Sequence, residues 1–283
     1  MIIDLHTHSY YSADGQYSIV ELLDFFSAGD IAALTDHETV GGWEEFRSEA
    51  QQRRIRPILG VEWFAYKCHI LCYFVNEIPQ SFMDFMTDRR NKEKSCMYLV
   101  YQQLKKSYPA LATYDEVIAL RPHPEKILGL PALAQALAKT MAILDISEAE
   151  DIVRKEKRKL PEGTVRPMPF YAEELIDKIN SWHAVSVLAH PYRKSGGQIG
   201  RKSKDEVEEK IRTLAKEGLV GVELFSDGST KEEVEHLICL CDELGLKSSV
   251  GSDKHSPGKS SEKTKDGYFN GVAMERVTKW LIH

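Results

Sequence analysis

The sequence predicts an α/β fold with barrel-like closure, interrupted once by a block of helices. Short β-branched or apolar segments recur seven times, helical patterns lie between most of them, and the alternation stops between about Pro79 and Pro169. Strands alternating with helices argue for βα units on a parallel sheet. Neither G-x-G-x-x-G nor G-x-x-x-x-G-K-[ST] follows any of the strands, so closure into a barrel is favoured over an open nucleotide-binding sheet.

The first segment, "MIIDLHTH", carries His6 and His8 two apart, and residues two apart on a strand share a face. Asp14 follows in the next loop, ahead of Gly15. "IAALTDH" ends at His37, "IRPILGVEWFAY" holds Glu62 inside an apolar run, and "HILCYFV" begins with His69. Beyond the helical block, "AVSVLAHP" ends at His190, "LVGVELF" is the sixth segment, and "LKSSVGSDKH" ends on Asp253 and His255. The intervening helices read "SIVELLDFFSA", "GGWEEFRSEAQQR", "KDEVEEKIRTLAKEG" and "KEEVEHLICLCDELG". The helical block contains four patterns, from "SFMDFMTDRRNKEKSCMYLVYQQLKKS" to "SEAEDIVRKEKRKL", and closes with the Pro-rich linker "PEGTVRPMP". The expected organisation is a barrel domain of residues 1–78 and 170–283, with a helical insertion at 79–169 that caps the site and selects substrate. The run Arg154 to Lys159 is expected to be a solvated helix end.

Apolar residues make up 42% of the 283, enough for a real core, and the net charge of −6 disfavours a role in coating nucleic acid. No apolar run approaches the ~20 residues of a membrane span, and the first residues lack a basic leader. A cytoplasmic protein with no membrane partner and no stable DNA complex is therefore expected. Five cysteines without framework spacing read as reduced: Cys68, Cys72, Cys239 and Cys241 as packing, Cys96 as a helix residue.

Six of the ten histidines sit at strand termini, and in parallel α/β folds the carboxyl ends of strands gather where ligands bind. Taken singly, each has an ordinary explanation: a hydrogen-bonded histidine, a salt-bridged Glu62, a turn aspartate at Asp14. Taken together, six imidazoles and three carboxylates on one rim are too costly to desolvate unless a cation offsets them. A polynuclear metal site fits best.

The set "DLHTHS", "S.DG", "ALTDHETVGG", "GVEW", "HILCYF", "VLAHPYR" and "GSDKH" resembles the PHP superfamily, the polymerase and histidinol phosphatase metal-dependent phosphoesterases. The insertion between "HILCYF" and "VLAHP" further resembles the branch acting on nucleoside 3′,5′-bisphosphates and short RNA. The resemblance implies a distorted (β/α)7 barrel with two or three divalent ions (Mn, Fe or Zn). It places one ion on His6, His8, Glu62 and Asp253; a second on Glu62, His69 and His190; a third on Asp14, His37 and His255. A metal-bridging hydroxide would attack a phosphate monoester, with Arg193 as the phosphate contact. Asp4 and Asp36 would orient imidazoles or else cap a helix or turn, and Lys254 would point away from the metals. Lys259, Lys263 and Lys265 read as a solvated loop, and His123 and His183 as structural.

Where that branch carries an arginine and a histidine in the insertion, this chain has Leu130 and Ala132, with Arg121 and His123 eight or nine residues earlier as candidate replacements. The expected substrate is a small phosphorylated molecule, a nucleotide or a 5′-phosphorylated short RNA. The rival readings are a histidinol-phosphate or other small-molecule phosphatase, a proofreading exonuclease, an amidohydrolase, and a non-catalytic metal-stabilised module.

Overall fold

A computed structural model describes residues 1–12, 14–121, 128–161, 170–194, 200–226, 228–255 and 267–281. The chain divides into two compact units, Met1–Phe82 with Pro169–His283, and Met83–Met168. His123, the three lysines at 259, 263 and 265, and nearly all of the linker "PEGTVRPMP" lie outside the described residues.

In the first unit seven strands pair in chain order: β1 (Ile3–Asp4), β2 (Ile31–Leu34), β3 (Arg56–Ala65), β4 (Cys68–Phe74), β5 (Val185–Leu188), β6 (Gly221–Glu223) and β7 (Lys247–Ser249). Every residue of β2 and β5 is buried, the pattern of strands covered on both faces. The sheet curls until its ends meet. Leu5 N–H donates to Val250 O at 2.8 Å, Asp253 N–H to His6 O at 2.8 Å and His8 N–H to Lys254 O at 2.9 Å, tying the segment after β1 to the segment after β7.

One strand departs from the parallel expectation. β4 runs antiparallel to both β3 and β5. The reason is the connection: Ala65 pairs with Cys68, leaving only Tyr66 and Lys67 to reverse the chain, with Lys67 in the left-handed region at φ 64°. Two residues suffice for a hairpin, whereas a parallel return needs a dozen or more. The reversal brings His69, near the beginning of β4, opposite Phe64 near the end of β3. A histidine at the start of a strand thereby reaches the rim where the other strands end.

Helices α1 (Ile19–Leu23) and α2 (Trp43–Gln52) precede the second unit, and α7 (Ala172–Ser181), α8 (Lys204–Lys216) and α9 (Lys231–Leu244) follow it, then α10 (Gly267–Arg276) and α11 (Thr278–Leu281). Ser18, Ser203 and Thr230 form capping boxes with the glutamate three residues on, each satisfying otherwise orphaned helix N–H groups. α7 is absent from the helices read in the sequence, although Leu175, Ile176 and Ile179 give it a buried apolar face. Behind the sheet Trp43, Phe74, Phe82 and Trp182 pack ring against ring, with centroids 4.5 to 5.7 Å apart.

The second unit is helical, as expected: most of α3 (Gln80–Ser107), then α4 (Tyr114–Ala119), α5 (Leu130–Met141) and α6 (Ile146–Lys157). Its core gathers Val100 and Leu104, Leu133 and Leu137, and Ala149 and Val153 from three of these helices. The basic run at the end of α6 is partly paired, with Arg154 on Glu150 at 2.8 Å and Asp151 at 3.1 Å.

All five cysteines are free. Cys68, Cys72 and Cys241 are buried, but Cys239 is exposed and is not a packing residue. Two residues along α9 is about 200° around the helix, so Cys239 and Cys241 cannot both face the core. No helix among the described residues is long and apolar enough to cross a membrane.

Candidate metal centre

Nine side chains named from the sequence converge on the rim of the first unit. Glu62 is the hub. Its Oε2 lies 3.0 Å from His6 Nε2, 3.1 Å from His8 Nε2 and 3.2 Å from His37 Nδ1. Its Oε1 lies 2.8 Å from His69 Nδ1 and 3.0 Å from His190 Nε2. Asp253 Oδ1 stands 3.4 Å from the Nε2 atoms of both His6 and His8. Asp14 Oδ2 stands 3.4 Å from the Nε2 atoms of both His37 and His255.

These contacts resolve into three groups able to hold a metal ion: His6, His8, Glu62 and Asp253; Glu62, His69 and His190; and His8, Asp14, His37 and His255. The third group contains one residue more than the sequence reading gave it. His8 belongs to two groups, because its ring stacks on His255 at 4.0 Å and sits 4.6 Å from the ring of His37.

The residues fit metal ions on an observation independent of their identity. His8 is completely buried, yet its Nδ1 has no hydrogen-bond partner, and its Nε2 and His37 Nδ1 face Glu62 Oε2 at 3.1 and 3.2 Å without hydrogen-bond geometry. Buried polar atoms left unpaired are rare and costly. Within each group the donor atoms lie within 4.8 Å of one another, about twice the ~2.0–2.2 Å bond from a transition metal to nitrogen or oxygen. The donors are nitrogen and oxygen only, which suits Mn, Fe or Zn better than a thiolate-seeking ion.

Electrostatics follow from this crowding. Burial alone would raise the Glu62 carboxyl, but the surrounding imidazoles His37, His6 and His69 hold it well below the usual range. Asp253 is depressed in the same way, chiefly by His6 against its burial. Burial disfavours a charged His6, yet Glu223, Glu62 and Asp253 raise its pKa. For His190 burial wins and the pKa falls. Burial likewise opposes protonation of His255, but the hydrogen bond to Asp14 and the charge of Asp253 lift it to about 9.

The backbone around the site is shaped to permit these approaches. His190 and Asp253 both have positive φ, 29° and 53°, so the regular strand alternation invoked for the last segment does not extend through Asp253. Lys254 nevertheless turns away, its ammonium 3.2 Å from the centroid of the Phe25 ring. A Cβ on Gly15 would fall 1.9 Å from Ser9 O, so only glycine lets the Asp14 loop close over Ser9.

Two expectations about the supporting residues need correction. Asp4 and Asp36 do not orient imidazoles. Asp4 Oδ1 accepts the backbone N–H of Ser252 at 2.9 Å and of His6 at 3.3 Å, and Asp36 accepts Ser9 N–H and Oγ–H, both at 2.7 Å. They brace the loops that carry the histidines, and burial pushes the Asp36 carboxyl up to about 7.

The residue that orients an imidazole is Glu223, which the sequence reading passed over. It is fully buried; Oε1 faces His6 Nδ1 at 2.8 Å, and Oε2 accepts the His190 backbone N–H at 2.6 Å. One carboxylate thus selects the His6 tautomer that frees Nε2 and pins the turn carrying His190. A Cβ on Gly251 would meet His6 Cβ at 2.2 Å and Glu223 Oε1 at 2.9 Å, so this pair is sealed by glycine. A signal was present: "GVE" occurs at 60–62 and again at 221–223, each time ending on the buried glutamate.

A pocket of about 390 Å³ opens onto the groups, lined by Asp14, Gln16, His37, Glu62, Phe64, His69, His190, Arg193, Asp253 and His255. Phe64 forms an apolar wall, stacked on His37 at 4.3 Å. Arg193 is partly exposed there and pairs with Asp253. His183 is exposed in a left-handed turn after α7, away from these groups. Leu130 and Ala132 pack against the core of the second unit, and Arg121 closes α4 by donating from Nε to Ile118 O at 3.0 Å.

A curated 3′,5′-nucleoside bisphosphate phosphatase from Chromobacterium violaceum is 26% identical over 262 residues, covering 90% of this chain and 88% of that protein. A 5′-3′ exoribonuclease from Haemophilus influenzae is 26% identical over 271 residues, covering 90% of each. Among solved structures, an amidohydrolase from Chromobacterium violaceum with bound sulfate and no metal superposes with a TM-score of 0.63 at 25% identity, covering 92% of this chain and 89% of that one. A Bifidobacterium adolescentis protein gives 0.65 at 20% identity, covering 97% and 96%, a likeness of fold alone. The PHP domain model matches residues 4–163, more than half of the sequence. The chain belongs to the PHP domain family.

Proposed function

We propose that this protein is a metal-dependent phosphoesterase that hydrolyses a phosphate monoester of a nucleotide, either a nucleoside 3′,5′-bisphosphate or a 5′-phosphorylated short RNA. The carrying observation is the joining of three ligand groups through Glu62 and His8 beneath one open pocket. The coarse reading, a metal-dependent phosphoesterase, is where family and site geometry agree. The nucleotide assignment draws on the two curated relatives at 26% identity.

Divalent ions held by these residues supply a Lewis acid for phosphoryl oxygens and water of lowered pKa. The protein's own part is positional. Glu62 keeps five imidazoles turned toward one another, and Glu223 commits His6 to present Nε2. Arg193 borders the pocket with a guanidinium suited to paired contacts with phosphate oxygens once it leaves Asp253. Phe64 walls the His37 side of the pocket with an apolar ring. Among the described residues lining the pocket no serine or cysteine stands as a nucleophile.

The test is release of inorganic phosphate from adenosine 3′,5′-bisphosphate in Mn²⁺, with His37→Ala as control. Mn-dependent release lost in the variant supports the bisphosphate reading despite Leu130 and Ala132. No release removes that substrate and turns the search to 5′-mononucleotides, short RNA and histidinol phosphate. Metal uptake without turnover on any of them favours the non-catalytic module.

A further inference from the structure

Tyr66 and Tyr171 are among the most exposed large apolar side chains of the first unit, 54% and 61% accessible. Scattered single exposures of this kind are ordinary. These two are not scattered: their rings meet edge to face with centroids 5.9 Å apart, and the Lys67 ammonium lies 5.2 Å from the Tyr66 ring centre.

Their place in the fold connects them to the metal rim. Glu62 and Phe64 line the pocket, and Tyr66 follows two residues later as the first residue of the hairpin turn after β3, whose next strand carries His69 of the same pocket. At about 3.3 Å per residue, Tyr66 stands at most roughly 13 Å from Glu62 and roughly 7 Å from Phe64. Tyr171 is brought to Tyr66 by the residue before it. Phe170 bridges to Ala65, its ring is edge-on to Trp63 at 6.3 Å, and its carbonyl accepts the Tyr66 N–H at 2.8 Å. The next residue, Tyr171, is the extended N-cap of α7 and meets the Tyr66 ring there. Tyr66 and Tyr171 thus make an exposed aromatic pair beside the hairpin that carries Phe64 and His69 of the pocket, with one cation against it.

We propose that Tyr66 and Tyr171 form a base-stacking ledge, holding the nucleobase of a substrate whose phosphate lies among the metal groups. This inference rests on the phosphoesterase reading and names the feature that selects a nucleotide over a baseless phosphate ester. The chemistry is that of single-stranded nucleic-acid binding, in which aromatic rings take the π-face of any base and a nearby cation assists. Base–aromatic stacking contributes about 1–3 kcal/mol per base, equivalent to roughly a 5- to 150-fold change in KM or Kd.

The experiment compares wild type, Tyr66→Ala, Tyr66→Phe and Tyr171→Ala on adenosine 5′-monophosphate and on ribose 5-phosphate, in full-length, metal-loaded protein. The alanine variants are expected to raise KM for the nucleotide about 5-fold or more. They should leave kcat, and all kinetics on ribose 5-phosphate, unchanged. Tyr66→Phe should retain the wild-type KM. Equal losses on both substrates, or no loss on either, overturn the ledge. Calorimetric binding of adenosine 5′-monophosphate is measured in parallel. If no phosphate is released from either compound, neither is a substrate and the phosphoesterase reading is decided separately on adenosine 3′,5′-bisphosphate and short RNA, while weaker nucleotide binding in Tyr66→Ala still supports the ledge and undiminished or absent binding overturns it.

Discussion

The two units spend their polar residues in opposite ways. Buried charged and imidazole groups crowd one rim of the barrel unit: Asp4, His6, His8, Asp36, His37, Glu62, His190, Glu223, Asp253 and Lys254. In the helical unit, among the described residues, only Arg89 and Glu156 are buried charged groups. Glu156 is well served, accepting from Gln103 at 3.0 Å and Ser107 at 2.8 Å and pairing with Lys159. In the barrel, His8 Nδ1 is buried with no hydrogen-bond partner. One unit is arranged for its own stability. The other gives up stability at a place where an external charge is to be held.

The comparison breaks first at Glu62. Glu62→Gln keeps the shape but removes the charge on which five imidazoles converge, so phosphate release should be lost outright and the metal content of purified protein should fall. Elemental analysis beside a phosphate assay checks this; full metal content with full turnover would mean the hub has been misread. The counterpart in the helical unit is Leu137→Ala, at a completely buried position of α5. It should cost about 2–5 kcal/mol in urea denaturation, while metal content stays at the wild-type level.

Glu223→Gln probes support rather than ligation. Losing the partner of His6 Nδ1 should weaken metal binding about 10- to 100-fold with the fold intact by circular dichroism, and ¹⁵N spectra should show His6 losing its single tautomer. A stability loss with unchanged metal affinity would reduce Glu223 to a packing residue.

A gentler contrast comes from pH. The folded pKa of His255 is raised, to about 9, above the ordinary value near 6.5. Its stabilising contribution is therefore complete below about pH 6.5 and is lost as pH rises through 9. Chelator-treated protein should melt at progressively lower temperature across that window. Metal affinity should climb over the same range, because the ion displaces that proton; a flat affinity profile from pH 6.5 to 9 would contradict the assignment of His255 as a ligand. The smallest effect belongs to ordinary helix chemistry in the barrel unit. Thr230→Ala, removing the α9 capping box, should cost about 1 kcal/mol and leave metal uptake untouched.

The alternation of apolar segments with helical ones, the helical interruption and the gathering of histidines at segment ends, with Glu62 inside an apolar run and Asp14 in a loop, could all be read directly from the chain. Hydrophobic periodicity is local, and a motif such as "HTH" or "SDKH" carries its chemistry in its own spacing. The direction of β4 was not legible from periodicity, because an antiparallel strand has the same apolar pattern as a parallel one. It was set by a two-residue turn and by the pairing of Phe64 with His69, and that reversal is what puts His69 on the working rim. Glu223 lies 217 residues from the histidine it orients, a separation over which spacing says nothing. The membership of His8 in two groups, and the work of Asp4 and Asp36 on backbone amides, likewise depend on how loops from opposite ends of the chain close together. Residue types and local order determined which chemistry the protein carries; packing across the closed sheet decided which atoms face one another.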